Sequence, residues 1–331
     1  MENQAPKPDM FYKVNVQARV TAAMFAAMEL DIFTPLDNSP MNTEELASSL
    51  GLQADKLGPL LYALVIYDFL IEDNGFFSNT PETSYYFVRG KEHYIGESSK
   101  IWKQNLLAAL STADTIRTGI PQAKYDWRNM DQERLEILME GMAAHDYEAA
   151  LWLSKMFDFS SCRTLLDAAC GSGALAIAMT QIHPQLTATV VDLPQVTPIT
   201  EKTIHKANAQ YRIEIISADL ATGPIPGMYD AAFLSSIIQV VSAEEARDII
   251  LNVGNTVKPG GWLYIFGSGI LKDSRLEPPA AVGINLVLIN VYDHGQSYTE
   301  TEHTTWLNEA GFERIIFDYD ELIISAQKRI E

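Results

Sequence analysis

Apolar positions recur at helical spacing through about residues 11 to 110, and from about residue 160 they gather instead into short runs that alternate with amphipathic helices. In the first stretch, Ala22 to Leu30 is apolar. Asn42-Thr43-Glu44-Glu45 then opens a helix over Leu46 to Leu50, and Gln53 to Tyr67 follows the break at Gly51. The segment Phe69 to Phe77 predicts two short strands about an Asn74-Gly75 turn, so helix, turn, helix and hairpin form a winged-helix pattern.

The second stretch predicts strands at Thr164–Ala168, Ala188–Asp192, Ile213–Ser217, Tyr229–Ile238 and Trp262–Phe266, with a closing pair at Arg314–Phe317 and Leu322–Ser325. Helices fill the intervals: Ala174–His183, Thr197 (with Pro198 at its first turn) toward Ala209, Ser242 (a capping box with Glu245) to about Val257, and Thr301–Ala310. Pro259-Gly260-Gly261 reads as a stop between helix and strand. This alternation predicts an α/β domain with a doubly wound, mostly parallel sheet.

Length and charge narrow the function classes. A chain of 331 residues exceeds one ordinary core. With 24 basic against 43 acidic residues, its net charge of −19 repels nucleic acid and anionic membrane, and Lys56 alone offers a cation on the helix that would read DNA. Cys162 and Cys170 are too few for a disulfide framework, and the N-terminal stretch lacks a basic, apolar signal, so a cytoplasmic protein is expected. The apolar run Ala280–Val291 is short and carries Asn285 and Asn290, so no membrane span is expected.

The candidate chemistry begins where the first strand ends in Asp167-Ala168-Ala169-Cys170-Gly171-Ser172-Gly173-Ala174 and a helix follows at once. Gly171 and Gly173 let backbone approach a ligand whose polar groups meet free helix N–H groups. Asp192 ends the second strand, placed to accept ribose hydroxyls with Leu193 beside it, and Asp219 ends the third, placed for an adenine amine with Leu220 against the ring. The loop also fits a dinucleotide fingerprint, but Asp167 would repel a pyrophosphate. S-adenosyl-L-methionine has no phosphate and carries a sulfonium and an ammonium, which Asp167 would attract. The plainer reading makes each acid a helix cap or turn residue. No His, Cys, Asp and Glu grouping has metal-ligand spacing, so no metal is expected.

With Leu165-Leu166-Asp167 and its glycine loop, Val191-Asp192-Leu193-Pro194, Ala218-Asp219-Leu220, Lys258-Pro259-Gly260-Gly261, Tyr298-Thr299-Glu300 and Ala310-Gly311-Phe312 in order, the chain resembles the bacterial small-molecule O-methyltransferases, relatives of plant caffeate-type and bacterial polyketide enzymes. The resemblance implies a winged-helix homodimerisation domain (1–110), a helical connector lining the acceptor pocket (111–155), and a Rossmann-like, seven-stranded domain for S-adenosylmethionine (156–331), with Ser235 among the cofactor contacts. It also implies that Met139 and Met142 lie near a small acceptor; Asn285 and Asn290 are further candidate acceptor contacts.

The chain departs from this family where its catalytic histidine is expected, because Gln239 stands there. Gln239 can orient an oxygen but cannot take a proton, so proximity and orientation carry the expected mechanism. Of the other candidate bases, His145, Tyr147, His294 and His303, the connector places His145 best. Competing readings are a fold relative that binds the same cofactor without methylating, and a winged-helix metabolite sensor.

Overall fold

A computed structural model describes residues 7–91, 93–96, 98–126 and 129–330, so the N-terminal stretch read above for an export signal lies, through residue 6, outside the described residues. The chain forms two compact units, one ending at Lys103 and one beginning at Gln104.

The first unit contains helices α1 (Asp9–Glu29), α2 (Phe33–Leu36), α3 (Thr43–Leu50) and α4 (Ala54–Ile66), strands β1 (Leu70–Asp73) and β2 (Phe76–Asn79), and helix α5 (Pro81–Tyr86). Helix α3 starts where the sequence placed it, because Asn42 and Glu45 satisfy each other's backbone N–H groups in a capping box. Strands β1 and β2 pair antiparallel around Asn74 and Gly75, both at positive φ, as a tight hairpin requires. Phe33, Leu46, Leu57, Leu61, Leu64 and Phe77 form the core.

The boundary falls within α6 (Ser98–Leu110). The second unit then runs through α7 (Thr112–Thr118), α8 (Gln132–Met156), β3 (Thr164–Ala168), α9 (Ala174–Ile182), β4 (Thr187–Asp192), α10 (Thr197–Lys206), β5 (Ile213–Ser217), β6 (Tyr229–Ser235), α11 (Ala243–Gly254) and β7 (Val257–Phe266). It closes with β8 (Ile270–Leu271), α12 (Pro279–Val291), β9 (Tyr298–Thr299), α13 (Glu300–Glu309), β10 (Phe312–Asp318) and β11 (Ile323–Lys328). The connector 111–155 is therefore part of this unit.

Seven strands form one sheet in the order β10-β11-β7-β6-β3-β4-β5, all running the same way except β11, which is antiparallel to both its neighbours β7 and β10. The chain winds outward from β3 in both directions, so the topological switch lies at the carboxyl end of β3, where open α/β sheets bind ligands. Leu165, Leu166, Asp167 and Ala168 are all buried, as expected of a central strand covered on both faces.

Two predicted boundaries change. The strand expected over Tyr229–Ile238 stops at Ser235 and turns into a short 3₁₀ segment, Ile238–Val240. The predicted stop at Pro259-Gly260-Gly261 lies inside β7, which begins at Val257 paired with Tyr229. A bulge before the Ala231–Trp262 pair absorbs that segment, with Gly260 at positive φ. Among the described residues, no helix is long and apolar enough to cross a membrane.

Candidate functional site

Three parallel strand ends bring the predicted acids to one edge of the sheet. Asp167 is next to last in β3, Asp192 ends β4, and Asp219 lies two residues beyond β5. Asp192 is firmly held: one carboxylate oxygen accepts the Gly171 N–H at 2.8 Å and the other the Leu193 N–H at 2.7 Å. The carboxylate thereby ties the glycine loop to β4. Burial pushes its pKa up to about 6, with those two N–H groups pulling the other way.

Asp167 is in a different state. It is 1% exposed, and neither carboxylate oxygen makes a hydrogen bond, although the nearby Ala176 N–H exerts a weak downward pull on its pKa. Burial, then the Asp146 carboxylate, then Asp192, push that pKa up to about 8. A bare buried carboxylate is costly, so the site calls for a proton or a cationic ligand.

The loop between these acids is shaped by close packing. Gly171 has φ +53°, and a Cβ there would come within 3.2 Å of the Met139 sulfur; at Gly173, φ +78°, it would come within 3.0 Å of the Thr200 methyl. The Thr200 hydroxyl donates to the Gly171 carbonyl at 2.6 Å. Ala169 also adopts a left-handed φ, +63°, while its N–H is held by the Val191 carbonyl. That conformation costs an L-residue about 1 kcal/mol, more than glycine loses through its freer unfolded chain. We therefore expect Ala169→Gly to raise the thermal midpoint by about 1 to 2 °C. A lower midpoint on calorimetric melting would remove the strain assigned to this bend.

The other predicted residues divide. Leu193 packs beside Leu135, Met139, Met142, Val196 and Ile199 at the start of α10, and Met139 also lies against Gly171 of the glycine loop. Asp219 accepts the Ala221 N–H at 3.0 Å, forming a turn, and Leu220 is buried with its carbonyl held by Asn252. Ser235 is half-buried at the tip of β6. Asn290 is placed differently from the expectation: it is fully buried and bonds to Thr115, Thr112 and the Leu286 carbonyl, making it a tie between α12 and α7. Asn285 is likewise committed, accepting the Ser297 N–H and donating to the Ala281 carbonyl.

Gln239 lies in the 3₁₀ segment, where its Oε1 accepts the Gly269 N–H at 2.9 Å and its carbonyl accepts the Gln296 N–H at 3.0 Å. A Cβ at Gly269 would come within 2.4 Å of the Gln239 Cβ, so the turn is closely fitted. His303 is fully buried among Tyr298, Trp306 and Phe317, its Nδ1 on the Thr299 carbonyl and its pKa down to about 4 through burial. His294 is exposed, Tyr147 is half-buried within α8, and His145 is exposed on α8 with its pKa lowered, first by desolvation. The residue that sequence reasoning missed is Asp146, the neighbour whose charge acts most on Asp167.

Residues 114–313 match the O-methyltransferase domain, and residues 16–89 match the O-methyltransferase dimerisation domain. The 3-hydroxy-5-methyl-1-naphthoate 3-O-methyltransferase of Streptomyces sahachiroi is 29% identical over 296 residues, 88% of this chain and 85% of that protein. The tetracenomycin polyketide synthesis 8-O-methyl transferase TcmO of Streptomyces glaucescens is 25% identical over 297 residues, 88% and 87% of the two chains. Among solved structures, human N-acetylserotonin methyltransferase in complex with SAM superposes with a TM-score of 0.83 at 21% identity, covering 99% of each chain.

Proposed function

The chain belongs to the O-methyltransferase family, and from that premise we propose that it transfers the methyl group of S-adenosyl-L-methionine to a hydroxyl of a small aromatic acceptor, acting as a homodimer through its N-terminal unit. The observation that carries this reading is the bare, buried Asp167 beside a glycine bend and the backbone-held Asp192. When bound, S-adenosylmethionine supplies an electrophilic methyl group on a cationic sulfur. Asp192 would hold the ribose, Leu193 and Leu220 the adenine, and Asp167 the cationic end. The exposed Met10, Phe11, Tyr12, Val14 and Val16 of α1 supply apolar surface for a second copy.

The chain's own contribution to the reaction is alignment and exclusion of water. Gln239 accepts the Gly269 N–H at its Oε1, and its remaining lone pair and amide N–H groups can orient an acceptor oxygen but cannot remove its proton. The acceptor must therefore ionise readily or pass its proton to another group. His145 fits that task at neutral pH, since its lowered pKa keeps it unprotonated.

The test is incubation with S-adenosylmethionine and a panel of hydroxylated aromatic compounds, followed by mass analysis. Methylated product with an equal amount of S-adenosylhomocysteine is expected. Retention of the donor with no methylated product from any phenol would overturn methyl transfer in favour of a non-methylating relative. In His145→Gln, kcat should fall about tenfold or more near neutral pH, with the acidic limb of the pH–rate profile lost; an unchanged profile removes His145 as base.

A further inference from the structure

Helix α8 buries one stripe along its length. Leu135, Met139, Ala150 and Leu153 are buried, and Met142 packs into the same cluster as Met139. Spacings of three and four place Asp146 on that stripe, between Met142 and Ala150. A carboxylate on an otherwise apolar stripe is unfavourable unless something compensates it. Among the described residues, no lysine or arginine pairs with Asp146 or Asp167 in an ion pair; the neighbour acting most strongly on Asp167 is Asp146 itself.

The placement is specific. Met139, two turns earlier on the stripe, comes against Gly171 of the loop, so the same helix face that covers the loop carries Asp146 toward the tip of β3. There Asp167 lies buried with both oxygens unpartnered. Two carboxylates close enough to act on each other, with no basic partner among the described residues, form an environment for a ligand with more than one positive charge.

We propose that Asp146 is a donor-binding residue, which with Asp167 forms a two-carboxylate cradle for the ammonium and sulfonium end of S-adenosylmethionine. The inference rests on the proposed use of the strand-end site and deepens it. The cradle favours donor over product, because S-adenosylhomocysteine keeps the ammonium but has lost the sulfonium charge. It thereby helps the spent cofactor to leave. Burial holds the Asp146 pKa up at about 7, so the empty cradle keeps protons that an arriving cation displaces.

Titration calorimetry of the full chain with S-adenosylmethionine and separately with S-adenosylhomocysteine tests this. In Asp146→Asn, donor affinity should fall roughly tenfold or more and product affinity by less than about threefold, while the ligand-free melting temperature stays level or rises because a carboxyl whose ionisation the fold opposes is gone. Asp146→Glu, which keeps the charge, should retain the preference for donor over product. Unchanged donor affinity in Asp146→Asn overturns the proposal. So does equal weakening of both ligands with a lower melting temperature, which marks a packing residue. If the unmodified chain retains neither ligand, the reading of the whole site fails, and this inference with it.

Discussion

Replacing Asp192 by alanine should weaken S-adenosylmethionine binding by on the order of 100-fold or more. Its carboxylate serves two partners at once, accepting N–H groups from Gly171 and Leu193 while each oxygen keeps a lone pair for a ribose hydroxyl. Each hydrogen bond to a charged acceptor contributes roughly 1.5 to 3 kcal/mol, and 1.4 kcal/mol is tenfold in affinity, so two lost ribose contacts alone reach the stated loss. The loop should loosen as well, with faster amide exchange at Gly171 and Leu193. Asparagine, usually the gentle replacement, should be almost as damaging, because its NH2 would face one of two backbone N–H groups that both need an acceptor. Calorimetry decides this: wild-type affinity in Asp192→Ala would remove the residue from the site.

The strand ends and the glycine bend were legible because their pattern is local. A strand ending in an acid, two glycines and an immediate helix can be read from neighbouring residues, as can the capping boxes at Asn42 and Ser242. The features that escaped depend on partners far along the chain. Asn290 could be a ligand contact or a buried tie, and what decides is Thr112 and Thr115, on another helix. Pro259-Gly260-Gly261 reads as a break until the Val257–Tyr229 pairing draws it into β7. Ala169 bears no sequence mark of its left-handed backbone. Asp146 is one charge in an acidic helix that also carries Glu133, Glu136, Glu140 and Glu148, and only its place on the buried stripe sets it apart. What was missed is therefore set by partners that only the tertiary fold brings together.

The ligand-free protein should lose roughly 2 kcal/mol of stability as pH rises from about 6.5 to about 8, where many proteins are near their most stable. The sign follows from the acids at the strand ends. Burial and mutual repulsion hold Asp167 at about 8, and burial holds Asp146 at about 7, against an ordinary value of 3.8. An acid whose pKa is raised by folding keeps its proton in the native chain after the unfolded chain has released it. Its stabilising contribution is complete below about 4 and vanishes as pH rises through the native value. Asp192, at about 6, acts in the same direction at lower pH. His303 opposes it there: buried and held near 4 against 6.5, it must lose any proton to stay folded, so its effect raises stability with pH up to about 6.5 and then stops. His145, also lowered, adds to that opposing trend over the same lower range. Cys170, fully buried with its thiol pKa driven up, stays neutral throughout. Above 6.5, Asp167 and Asp146 therefore act with little opposition, and about one net proton over 1.5 pH units gives the stated loss, since one pH unit is worth about 1.36 kcal/mol per proton. On thermal melting this corresponds to a fall of about 3 °C between the two pH values. Asp167→Asn should flatten that slope, as should saturating S-adenosylmethionine, whose positive charges let the acids ionise in place. A midpoint that holds steady or climbs from pH 6.5 to 8 in the unliganded wild type would mean that Asp167 is ionised in the folded chain and already compensated by the protein.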